Sequence, residues 1–153
     1  AQGLLRLTRS KQMLHRLLLL SLLAMLGACA IPERVTPIPV RALNVKTDCS
    51  YRDETGASGM LKLDVTAARV HAFEARINYP QHGICRFDLK DFRQTKEMPA
   101  IELSQLNGIC IVRMWEQGTR VTVAFQQCEK MCSGSAYDQL LPIIYDRRDG
   151  TCA

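Results

Sequence analysis

Beyond residue 29 no stretch keeps a helical period over fifteen residues, which excludes a helical bundle. The patterns G-x-S-x-G, H-E-x-x-H, the P-loop and the dinucleotide fingerprint are all missing, so the commonest hydrolase, zinc-peptidase and nucleotide chemistries have no signature here. No C-x2-C pair occurs, and the only histidines past residue 29 are His71 and His82. Blocks of like charge are missing too, apart from Arg147-Arg148, so electrostatics gives no reason to expect nucleic acid. There is no internal repeat and no low-complexity tract.

What is present begins with an apolar run. Residues 17–26 read LLLLSLLAML, with Arg6, Arg9, Lys11 and Arg16 before them and Gly27-Ala28-Cys29 after. A charged region, a short apolar region and small exit residues describe a secretory signal. Ten residues rise about 15 Å as a helix, half of a roughly 30 Å hydrocarbon core, which argues against a permanent transmembrane helix. Met13-Leu14-His15-Arg16 would serve as a start by itself. Leu26-Gly27-Ala28-Cys29 resembles the lipobox of bacterial lipoproteins. The resemblance implies that Cys29 is diacylated, becomes the first residue of the processed protein and anchors it to a membrane of the cell envelope. Ala30 after the cysteine, where an aspartate would retain the protein, implies the outer membrane. The competing reading is an ordinary signal cut after Ala28-Cys29-Ala30, an A-x-A site.

The division expected is therefore a signal at 1–28, a lipidated cysteine and tether at 29–41, and one domain at 42–153. Pro32, Pro37 and Pro39 make the tether extended, and at about 3 Å per residue it holds the domain roughly 30 Å from the bilayer. The net charge of +5 comes mostly from the signal. Without it, sixteen Lys and Arg face fifteen Asp and Glu, a net of +1.

From Leu43 the period becomes two. Leu43, Val45, Thr47, Cys49 and Tyr51 alternate with polar residues, as do Leu61, Leu63 and Val65, then Phe73, Ala75, Ile77 and Tyr79, then Cys85, Phe87 and Leu89. A polar loop is expected at 91–99, followed by strands at 100–103, 109–116, 120–126 and 140–145. Strand 109–116 is apolar on both faces and is expected to be central, with Trp115 in the core. His71 shares the parity of Phe73 and is expected partly buried, whereas His82 sits in a Pro-Gly turn. Asp53 and Glu54 are expected in a solvated turn. A short helical turn is expected near 65–71 or 128–132. Strands at about ten-residue spacing predict an all-β domain, a small antiparallel barrel or sandwich of about eight strands stapled by disulfides.

Cys49, Cys85, Cys110, Cys128, Cys132 and Cys152 remain after Cys29 is set aside. Cys128 and Cys132, with Cys152 and a histidine, have the raw composition of a zinc site, but an even number in an exported chain favours three disulfides and no metal. Six cysteines allow fifteen pairings; Cys85 with Cys110 and Cys132 with Cys152 are the ones expected.

The irregular segment 132–137 is the candidate site, a loop pinned between cysteines. Its Ser133-Gly134-Ser135-Ala136-Tyr137 matches S-G-x-x-Y, which is similar to a motif of the membrane-bound lysozyme-inhibitor lipoproteins. Those are small disulfide-bonded antiparallel barrels behind a lipobox, and the resemblance assigns their cleft-entering serine and tyrosine to Ser133 and Tyr137. The second loop of that family, with its Lys-Gly, has no counterpart, because 138–145 holds no lysine. The expected job is binding, with no catalysis and no cofactor, through Ser133, Tyr137 and the pair Arg147 and Arg148. The partner is a macromolecule such as a lysozyme. The alternative is an envelope hydrolase acting through a carboxylate or histidine.

Overall fold

The structure, a computed structural model, describes residues 41–153; the expected lipobox, Cys29 and the expected tether with Pro32, Pro37 and Pro39 lie outside the described residues. Ten strands form two antiparallel sheets. The first sheet holds β1 (Val45–Arg52), β2 (Ser58–Thr66), β3 (Arg69–Tyr79) and β4 (Gly83–Asp88) in that order. The second runs β5 (Phe92–Lys96), β6 (Ile101–Gln105), β7 (Ile111–Gln117), β8 (Arg120–Gln126), β9 (Ile143–Asp146) and β10 (Thr151–Cys152). Every neighbour within a sheet is consecutive in sequence, so each sheet is an up-and-down meander.

Alternation does what the sequence asks of it. Leu61, Leu63 and Ile77 face inward from the first sheet, and Val112, Met114, Val121, Val123 and Ile143 from the second, all fully buried. Each such side chain contributes about 1.5–3 kcal/mol relative to exposure. Two aromatic pairs join distant elements of the core: Phe73 meets Phe92 edge-on at 6.3 Å, and Phe87 stacks on Phe125 at 4.2 Å. The domain is thus a sandwich that does not close into a barrel.

The two seams between the sheets are stapled. Cys49 of β1 bonds Cys152 of β10. Cys85 of β4 bonds Cys132, whose backbone bridges the open edge of β4. Cys110 bonds Cys128 ahead of β7 and after β8. The expected pairs Cys85 with Cys110 and Cys132 with Cys152 are therefore overturned. Cys85 and Cys110 do not lie on neighbouring strands, since β4 edges one sheet and Cys110 precedes the central β7 of the other.

Other local expectations shift as well. The stretch 91–99 contains β5, which pairs with β6 from Phe92 opposite Gln105 to Lys96 opposite Glu102. The two-residue β10 is the other additional strand. A 3-10 turn forms at Glu129–Met131, inside 128–132, and none forms at 65–71. There the chain makes a two-residue turn with both alanines left-handed, Ala67 at φ 50° and Ala68 at φ 63°. That region is unfavourable for residues with a Cβ, and side chains brace it. Asn44 Oδ1 accepts the Ala67 N–H at 2.7 Å, and Gln94 donates to the Ala68 carbonyl at 2.6 Å.

A bulge follows. Asp64 lies opposite Ala72 but Val65 opposite Val70, so His71 is the extra residue and points to solvent. Its expected burial passes to Val70, which packs against the core. Trp115 corrects likewise. β7 is central, but Trp115 sits opposite Thr122 on the outer face and is only half-buried.

Candidate functional site

The segment 132–137 is laid along the edge of β4. The Ser133 N–H donates to the Ile84 carbonyl at 2.9 Å, and the Ile84 N–H donates back to Ser133 Oγ at 3.0 Å. A side chain at 83 would forbid this approach. A Cβ there would lie 2.2 Å from the Ser133 carbonyl oxygen, and Gly83 also has φ +119°. Two residues on, the Ser135 N–H donates to the His82 carbonyl at 2.9 Å. Ser133 therefore completes the sheet edge, its hydroxyl engaged with both the N–H and the carbonyl of Ile84.

Tyr137 begins from the same brace. It lies in a 3-10 turn, Ala136–Gln139, with Ala136 fully buried beneath it. Its ring is half-buried, and its hydroxyl accepts the Gln127 N–H at 2.9 Å. Gln127 is itself left-handed at φ 56°, so Tyr137 fixes the residue that leads out of β8. A phenol that accepts one bond still has its own proton to donate.

Arg147 and Arg148 lie elsewhere. Arg147 donates to the Asn44 carbonyl and lies 3.4 Å from Glu116, which also receives Arg41 at 2.9 Å. Arg148 grips Asp146 through two guanidinium nitrogens, the shorter contact at 2.7 Å, while the Arg148 N–H donates to the same carboxylate at 3.0 Å. The guanidinium and that N–H hold the Asp146 carboxyl well below the usual carboxylate range. Asn44 precedes β1, whereas Ile84 registers with Asn78, Ser58 and Arg52, where β1 ends. Eight residues at about 3.3 Å place these two ends roughly 25 Å apart. The structure brings Ser133 to Tyr137, and Arg147 to Arg148, but does not join the two pairs.

Of the loop carboxylates, Asp53 is occupied. Asp53 accepts from the Thr55 N–H, the Thr55 hydroxyl and the Ala57 N–H, and the Thr55 hydroxyl foremost lowers its pKa. One serine–histidine contact exists, Ser135 Oγ to His82 Nδ1 at 3.0 Å, on the exposed side of the 132–137 segment. Among the described residues no carboxylate bonds that imidazole, so nothing orients it as a catalytic base needs.

Sequence reasoning did not see a third place. On the outer face of the first sheet, Ser50, Met60, Arg76 and Arg86 stand in one cross-strand row, and Arg52, Ser58 and Asn78 in the next. A groove of about 480 Å³ is lined by all of these except Arg86. Alternation marked Ser50, Arg76, Asn78 and Arg86 as outward-facing, but only the register joins them to Arg52, Ser58 and Met60.

Comparisons with known protein families, with characterised proteins and with solved structures find no match to this chain.

Proposed function

We propose that the chain is a lipoprotein of the bacterial cell envelope, anchored through Cys29 to the outer membrane, whose sandwich domain binds a macromolecular partner. The observation that carries this reading is the fixed segment 132–137. It is held by Cys85–Cys132 and by reciprocal bonds between Ser133 and Ile84, so it presents Ser133 and Tyr137 at little entropic cost on binding. The lipobox and the pairing of all six remaining cysteines support export to an oxidising compartment. In its specific form the reading names a lysozyme as partner, through the S-G-x-x-Y resemblance.

The test is inhibition of lysozyme by the purified protein. Near one-to-one inhibition is expected, weakened by Tyr137→Ala by about 1–3 kcal/mol for a central aromatic contact. Tyr137→Phe serves as the partner variant, keeping the ring while removing the hydroxyl. No inhibition of any lysozyme class removes the specific form. Mass spectrometry tests the anchor independently: an acylated Cys29 is expected, and an unmodified amino terminus at Ile31 overturns it.

A further inference from the structure

The outer face of the first sheet carries charges of both signs over one half and only arginines over the other. In the mixed half Lys46 pairs with Asp64 at 2.9 Å, Lys62 stands between Asp48 and Glu74 in register, and Glu74 stands opposite Asp88. In the other half Arg76 stands directly opposite Arg86. Like charges directly opposite each other destabilise a ladder. Arg52 lies diagonally across β2, and among the described residues neither Arg52 nor Arg86 has an ion-pair partner. Arg76 has one long contact, 3.4 Å to Glu74 on its own strand. The nearby Asp53 carboxylate is turned into its own loop.

We propose that this groove binds a phosphate monoester, with Arg52 and Arg76 clamping the phosphate from its two walls and Arg86 adding charge behind Arg76. The two arginines are two strand spacings apart across the sheet and two residues apart along it, about 12 Å at the backbone, so their long side chains can reach one guest from opposite sides. A planar carboxylate is served by one guanidinium fork. A phosphate monoester carries about −1.5 to −2 charge and three terminal oxygens, enough for both forks. Between the arginines Ser50, Ser58 and Asn78 offer neutral hydrogen-bonding groups, and Met60 offers an apolar contact for whatever carries the phosphate. An anion there also relieves the repulsion between Arg76 and Arg86. The proposal is independent of the lysozyme reading, since none of its residues lies in 132–137.

The experiment titrates the full chain in neutral detergent, by calorimetry at low salt, with inorganic phosphate, glucose 6-phosphate, dihexanoyl phosphatidic acid and glucose. Saturable binding of a phosphate ligand is expected, with glucose silent. The tightest of the three separates a free anion, a sugar ester and a lipid headgroup as source. Arg52→Ala and Arg76→Ala are each expected to weaken it about ten-fold, the loss of one charged hydrogen-bonding group. Arg93→Ala, an exposed arginine on β5, removes the same charge elsewhere and is expected to leave binding unchanged. Arg86→Gln is expected to raise Tm without phosphate. The proposal is overturned if no phosphate ligand saturates, if glucose binds as well as its phosphate, or if Arg93→Ala weakens binding as much as Arg76→Ala.

Discussion

At the end of the first sheet where β1 finishes, the sixteen-residue connection 127–142 lies flat against β4, fastened by Cys85–Cys132 and Cys110–Cys128. At the opposite end the turn 147–150 and the turn at Ala67 and Ala68 carry no disulfide. They are held by arginine–carboxylate contacts around Asp146 and Glu116, and by Asn44 and Gln94. The difference follows chain length. A tight turn already has its ladder partners, so one or two side chains finish it. A long irregular connection has few backbone partners and a large loop entropy, and a covalent bond offsets that entropy most effectively.

The comparison breaks most visibly at the cysteines. Replacing Cys85 and Cys132 together by alanine releases a loop closed over 47 residues, and denaturant melts should show a loss of about 4 kcal/mol. Amide exchange should then quicken first at 132–137 and last at 147–150. A loss under about 1 kcal/mol would mean that Ser133 and Ile84 hold the segment by themselves.

Acid should act on carboxylates at both ends. Asp146 has a depressed folded pKa, so its contribution is present above the unfolded carboxylate value near 4 and is lost as pH falls through the folded value. Asp53, Asp88 and Asp149 shift the same way. Stability should be level in this respect near neutrality and fall below about pH 4. Asp146→Asn should lower Tm at pH 7 by less than the cysteine pair does, with the difference from the parent shrinking as pH drops. An equal deficit at every pH would show that the carboxylate charge is not what matters.

Smaller effects sharpen the contrast. Tyr137→Phe removes the acceptor of the Gln127 N–H and should cost about 1 kcal/mol. Ala67→Gly relieves a left-handed alanine worth about 1–2 kcal/mol while adding glycine's entropy of about 0.5–1, so a gain of about 0.5 kcal/mol is expected in urea melts. A loss there would show that the braced alanine is not strained.

Most of the fold is legible in the sequence because one face of each sheet is buried and the period is two. Strand 120–126 is read to the residue, and the all-β class follows from the spacing. What stays hidden depends on register. β5 alternates too briefly to announce itself beside Phe92. The bulge at Asp64 and Val65 turns His71 outward, and no local pattern shows it. Trp115 looks like core because tryptophan is apolar, but its parity with Arg113 and Gln117 puts it outside. Cys49 and Cys85 pair with cysteines distant in sequence whose places only the assembled sheets define. Of the site, S-G-x-x-Y is legible as a segment. Its distance from Arg147, and the row of Ser50, Met60, Arg76 and Arg86, belong to tertiary structure.

The disulfides have one further consequence. Taken in chain order, the first of the six bonded cysteines, Cys49, pairs with the sixth, the second with the fifth and the third with the fourth. A chain threading through a membrane amino end first exposes Cys49 to Cys85 long before Cys152 arrives, so oxidation in order of emergence yields the wrong bonds. The nested pattern closes from the inside out, with the 18-residue loop first and the 103-residue loop last. If the chain is exported as proposed, its biogenesis belongs with proteins that depend on thiol–disulfide shuffling. A cell lacking its disulfide isomerase should accumulate this chain with Cys49 and Cys85 joined to each other.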